Sequence, residues 1–149
     1  MMKVKGFSLI EVIIVIVLIG IIAVTVGIRS TGTTSLNLAG SAQTLGQDIQ
    51  LTQILAMSYN QPYQIQFSQH SYQIVSGKNT PYVHPSGQVI SLSNEITIKT
   101  SNNPLIFDAM GQLISANGNP LSKDASITLN STQDKKTLRI INQTGFVIQ

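Results

Sequence analysis

At 149 residues the chain has room for one modest domain and no second one. Charged side chains make up only 10% of it, against about a quarter in an ordinary soluble domain, and the formal net charge is +3. Cysteine is absent, which excludes a disulfide framework, a thiol nucleophile and a thiolate metal site.

The first predicted element is apolar. Residues 7–28 carry one charge, Glu11, and residues 12–24 (VIIVIVLIGIIAV) have no polar side chain. As a helix, 22 residues span about 33 Å, enough for a hydrocarbon core of about 30 Å. Lys3 and Lys5 precede the run, Arg29 follows it, and the next charge is Asp48. The excess of positive charge before the run favours a cytoplasmic N-terminus. The run is too long for the core of a cleaved secretory signal, and no A-x-A pattern follows it. A plain signal anchor fits the length but gives no reason for Glu11. A charge at mid-membrane costs about 2.5–3.5 kcal/mol, and such groups are usually paired and functional.

Residues 29–35 (RSTGTTS) are weak helix formers. They predict a kink or short break, with Ser35 capping a restart and Gly20, Gly27 and Gly32 as bend points. Helical periodicity then returns. Leu38, Ala42, Leu45, Ile49, Thr52, Ala56 and Tyr59 alternate in steps of four and three, the stripe of an amphipathic helix. Gln47, Asp48, Gln50 and Gln53 fall largely off that stripe. Asn60, Gln61 and Pro62 end the helix.

Beyond Pro62 the period becomes two. Tyr63, Ile65 and Phe67 form one strand, and Tyr72, Ile74 and Val75 a second after a turn at 68–71. Gly, Asn and Pro make 76–87 a loop. Further strands are predicted at 88–92, 95–100, 105–107, 112–115, 125–130, 136–142 and 145–148. Ile96/Ile98, Ile127/Leu129, Leu138/Ile140 and Phe146/Ile148 give inward pairs. The fold class is α+β: a long N-terminal helix, transmembrane in its first half and amphipathic in its second, packed on an antiparallel β-sheet head.

Little in the head points to chemistry. His70 and His84 read as surface loop histidines, with no third ligand for a metal. Asp108, Asp124 and Asp134 are too far apart in sequence for a calcium loop. No nucleophile elbow or phosphate loop is present, so no catalytic residue and no cofactor is expected. Lys135, Lys136 and Arg139 form the one basic cluster of the head. They read as a solvated turn between strands, with nucleic-acid contact as the sharper alternative.

Lys5-Gly6-Phe7-Ser8-Leu9-Ile10-Glu11-Val12 resembles the type III signal of type IV pilins and type II secretion pseudopilins. The resemblance implies cleavage by a prepilin peptidase between Gly6 and Phe7, N-methylation of Phe7, and a role for Glu11 in subunit assembly. Removing Lys3 and Lys5 would leave seven basic against six acidic side chains, so most of the basic excess goes with the leader. Several head features resemble the GspH/FimT group of minor pseudopilins: the helix running into Asn60-Gln61-Pro62, the Ile106-Phe107 and Gly111 positions, Ile127-Thr128-Leu129, Leu138-Arg139-Ile140 and Gly145-Phe146-Val147. This implies a leader at 1–6, a transmembrane helix at 7–29, a periplasmic amphipathic helix at 30–61 and a β-rich head at 62–149. It also implies a single-pass inner-membrane subunit whose partners are the peptidase, other pilin-like subunits and membrane lipid. Its role would be to prime and assemble a pseudopilus or type IV pilus. A DNA-binding minor pilin for transformation and a plain signal-anchored periplasmic domain are the alternatives. Some FimT-like pilins bind DNA through a basic tail after a Gly-Arg pair. Here Gly145 is followed by Phe146 and the last residues are uncharged, so nucleic acid is not an expected partner.

Overall fold

The computed structural model describes residues 8–148, with side chains at 8–21 and 35–148. It divides into two compact units, Met1–Thr33 and Thr34–Gln149. Helix α1 is Leu9–Ser58. Its first turn is closed on Ser8, whose carbonyl accepts the Glu11 and Val12 amides at 3.0 and 3.3 Å. Glu11 sits in that first turn, where the helix dipole favours an anion. In the first unit the described large apolar side chains, from Leu9 to Ile21, are all 47–78% exposed. Among the described residues no helix is long and apolar enough to cross a membrane, and the side chains described in this run stop at Ile21.

The break predicted at 29–35 is not found: helical backbone continues through it. The cost of each Ser, Thr or Gly in a helix is at most about 1 kcal/mol, and intrinsic propensity yields readily to context. The far end follows prediction. Asn60 turns left-handed at φ 49°, its amide bonds Met57 O, and the Gln61 amide reaches back to Ala56 O at 3.2 Å. This is a Schellman closure, with Pro62 preventing any continuation. Tyr59, predicted to complete the apolar stripe, lies past the last helical turn and is 63% exposed.

In the second unit the α1 stripe is buried as predicted: Leu38, Ala42, Leu45, Ile49, Thr52 and Ala56, with Leu55 beside them. These residues share one hydrophobic cluster with two antiparallel sheets. The first sheet has the order β3-β2-β1-β5-β6. Its strands are β1 (Tyr63–Phe67), β2 (Ser71–Ser76), β3 (Ile90–Ser91), β5 (Leu105–Phe107) and β6 (Leu113–Ile114). The second has the order β4-β7-β8-β9 and comprises β4 (Thr97–Thr100), β7 (Ala125–Asn130), β8 (Lys135–Ile140) and β9 (Val147–Ile148). Several strands are shorter than the alternation predicted, most of all β3, β6 and β9.

Register explains which side chains enter the core. β7 and β8 pair Ile127 with Leu138 and Ala125 with Ile140, and all four are buried. The pair Phe146/Ile148, predicted inward, points outward at 60% and 44% exposure, and Val147 is buried instead. The turn decides this. The Gly145 amide donates to Ile141 O and the Ile141 amide to Phe146 O, which sets Val147 opposite Ile140. A shift of one residue exchanges the two faces of a strand.

Gln53, predicted off the buried face, ties α1 to a turn from each sheet. Its Nε2 donates to Gly111 O at 2.9 Å and to Thr144 O at 2.6 Å. Gly111 and Gly145 both take positive φ, 79° and 65°. A Cβ on Gly145 would collide with the Gln53 amide and lie 2.7 Å from Gly111 O. Gln53→Ala should therefore cost about 1 kcal/mol, mainly through Gly111 O losing its donor, since water replaces the bond at exposed Thr144 O. Gly145→Ala should cost at least about 1–2 kcal/mol for the left-handed backbone alone. Thermal unfolding of the full chain in detergent micelles checks both, and the double variant should lose less than the sum because the two changes share one contact.

Candidate functional site

Gly6 and Phe7, the predicted processing residues, lie outside the described residues. Glu11 is described: it is exposed, and among the described residues it has no ion-pair partner. Its amide is bonded to the Ser8 carbonyl, so the carboxylate projects, exposed, from a closed first turn.

The head holds a buried polar cluster that periodicity did not reveal. Asp48 is only 4% exposed although it was predicted off the stripe. It directly precedes Ile49, so the buried face of α1 is wider than a strict four-three stripe. Its Oδ2 accepts the Tyr72 hydroxyl from β2 at 2.6 Å. Its Oδ1 lies 3.2 Å from His84 Nε2, contributed by the loop between β2 and β3. The other ring nitrogen of His84, Nδ1, accepts the Ser86 amide at 3.1 Å. An Nδ1 that accepts carries no proton, so a neutral His84 places its proton on Nε2 and donates to Asp48. In that tautomer Nε2 has no lone pair for a metal, whose histidine ligands donate from their second nitrogen. Among the described residues no group of three acidic or histidine side chains converges for an ion.

Both carboxylate oxygens of Asp48 are thus satisfied, which a buried charge requires. Burial pushes the Tyr72 phenol far above its ordinary value, and the hydrogen bond and negative charge of Asp48 push it the same way. The prediction of two surface loop histidines is corrected on both. His84 reaches the interior, and His70 is half-buried with Nδ1 2.8 Å from Ile96 O. A signal was present: Asp48 is the one charge between Arg29 and Lys78, and a carboxylate that isolated on an amphipathic helix demands a partner.

The basic residues do not converge. On β8, Lys135 and Arg139 alternate onto the face opposite the core. Lys136, which pairs with Leu129, turns to the other side, where it borders Ala39, Ala42 and Gln43 of α1. Arg139 Nε is already held by Asp124 Oδ2 at 2.9 Å. Among the predicted acidic loop residues, Asp108 caps the amides of Met110 and Gln112, Asp124 accepts the Asn142 amide as well as Arg139, and Asp134 accepts the Lys135 amide.

Comparison with known proteins extends these observations. A profile described as the prokaryotic N-terminal methylation motif matches residues 1–27, and one described as type II transport protein GspH matches residues 41–145. The solved structure of the type IV minor pilin FimU of Pseudomonas aeruginosa PAO1 is similar at 19% identity, covering 78% of this chain and 90% of that one with a TM-score of 0.59. The minor pseudopilin EpsH from the type 2 secretion system of Vibrio cholerae is similar at 9% identity, covering 75% of this chain and 94% of that one, also with a TM-score of 0.59. At these identities the two structures show the shared fold: an N-terminal helix packed on antiparallel sheets. A search of curated proteins returned no match.

Tyr72 yields a pH prediction with a definite sign. Its folded form holds the proton more tightly than the unfolded chain, so its contribution to stability is complete below about pH 10 and is lost as pH rises above that value. Across that alkaline range wild type should lose up to about 1.4 kcal/mol per pH unit more than Tyr72→Phe, which has no proton to release. Urea unfolding of both chains at successive alkaline pH values measures the difference.

Proposed function

The chain belongs to the type II transport protein GspH family, and from that membership we propose a minor pilin-like subunit that helps prime and assemble a type II secretion pseudopilus or type IV pilus. The observation that carries this reading is the order of two matches along one chain: a methylation motif over residues 1–27, then the GspH head over 41–145. In this reading residues 1–6 are a leader on the cytoplasmic side, residues 7–29 hold the subunit in the inner membrane, and the head faces the periplasm. The partners are a prepilin peptidase, other pilin-like subunits and lipid.

The chemistry of the N-terminal motif is simple. Gly6 has no side chain, so an extended backbone can lie close to a protease. Cleavage after Gly6 leaves the apolar helix in place and frees the amine of Phe7, which becomes methylated. That amine carries positive charge near neutral pH. In a filament it would face Glu11 of a neighbouring subunit, in surroundings too apolar to solvate either charge. Truncating one partner of such a dry pair costs about 3–5 kcal/mol, because the other charge is left alone. An exposed Glu11 with no ion-pair partner among the described residues supports this role. The head then acts by shape and surface, and no bond-making step is assigned to it.

Two substitutions separate this reading from a plain signal anchor. Gly6→Leu should block processing, seen as a precursor that keeps its leader by mass spectrometry; normal maturation would remove the peptidase from the scheme. Glu11→Ala should be cleaved at the wild-type rate yet enter filaments poorly, read as its share of a sheared filament fraction. Wild-type incorporation would make the carboxylate incidental.

A further inference from the structure

Between the last contact of the β2–β3 loop with β2 and the start of β3, residues 83–89 cross the head with almost nothing holding them. Every one of them except His84 is exposed, Val83 at 73% and Val89 at 51%. The hydrogen bonds on either side are firm. Before the segment, the Tyr82 amide donates to Ile74 O at 2.9 Å and half-buried Tyr82 packs against the core. After it, Ile90 is buried and pairs with Tyr72 in the sheet. Within the segment the bonds are internal or local: His84 amide to Tyr82 O, Gly87 amide to His84 O, and Ser86 amide to His84 Nδ1. Among the described residues its one polar tie to another element is His84 Nε2 to Asp48 Oδ1.

We infer that residues 83–89 form a strap latched to α1 at the single point where His84 meets Asp48, and that this strap opens while the rest of the head stays folded. The internal bonds serve the latch. The Ser86 amide occupies Nδ1 and so commits the ring proton to the nitrogen that faces Asp48. Gly87 supplies the positive φ, 107°, that lets the chain double back beneath the ring, and Pro85 needs no partner for an amide it lacks. Opening is inexpensive because nothing is left orphaned. Water entering with the strap lifted replaces the imidazole as a donor to Asp48, and Tyr72 keeps its own bond to the second oxygen. The consequence lies on the helix. From Ser35 to Ser58 the only charged side chain is Asp48. Closed, the strap leaves the 35–58 stretch of α1 without accessible charge; open, it offers a carboxylate at the head surface.

Amide hydrogen exchange on the full chain in detergent micelles tests this, read at His84, Ser86 and Gly87. In wild type these amides should exchange through a local opening insensitive to low denaturant, while the amides of β1 and β2 follow global unfolding. His84→Ala should speed exchange at Gly87, whose acceptor is the His84 backbone carbonyl that the substitution keeps, by at least about tenfold and leave β1 and β2 unchanged. His84→Gln, which keeps a donor, should recover part of that protection. Tyr72→Phe strips the other donor from the same carboxylate and should leave the strap protected. Three results would each overturn the inference: wild-type amides already unprotected, the same denaturant dependence in strap and strands, or a rise in His84→Ala spread evenly over the head. The wild-type measurement alone decides the matter if His84→Ala does not fold.

Discussion

One seam organises the head: the buried face of α1, from Leu38 to Ala56, against the inner faces of two small sheets. Five strands in one sheet and four in the other include three strands of only two residues, too short to hold register unaided. Hydrophobic burial against a common helix supplies what the strands lack. It also supports the helix over its buried stretch from Leu38 to Ala56, since most helical stability in proteins comes from packing an apolar face rather than from propensity. Gln53 adds direction to this non-directional force, by fixing one turn of each sheet to the same helical residue.

The scarcity of charge gives the few ionic contacts their weight. Of the ion pairs among the described residues, Arg139–Asp124 is well exposed on the arginine side, and pairs of that kind contribute at most about 1 kcal/mol. Asp48–His84 is of another kind. It is buried, it joins a helix to a loop, and it is backed by Tyr72 on the second oxygen. Breaking a dry contact normally strands a charge, but this one stands at the edge of the core beneath an exposed segment. The same geometry that satisfies Asp48 when closed lets water satisfy it when open. Stability and local mobility are thus set by one carboxylate at the boundary between interior and solvent.

At the N-terminus the physical problem is reversed. The first unit shows large apolar side chains with no covering partner among the described residues, and a single carboxylate set in a hydrogen-bonded first turn. In the proposed subunit role such a surface would meet lipid or the equivalent surfaces of other subunits. A weakly charged head suits the same setting, because polar but neutral Ser, Thr, Asn and Gln side chains can be covered by a neighbour without desolvating ions.

The sequence by itself determined the class of the chain and most of its elements. Periodicity of 3.6 and of two, with Asn60-Gln61-Pro62 between them, is local information, and the motif around Gly6, Phe7 and Glu11 is contiguous. The helix stripe, the hairpin of β1 and β2, and the inward residues of β7 and β8 were therefore readable. Three things were not. The inward face of β9 depended on a turn whose hydrogen bonds fix register to the residue, and a one-step error exchanges Val147 for Phe146. The continuity of α1 through 29–35 went against residue propensity. Above all, the pairing of Asp48 with Tyr72 and His84 joins residues 24 and 36 positions away, on a strand and a loop. Sequence shows that a carboxylate on a greasy helix needs partners; only the folding of three separate segments around one point decides which partners it finds.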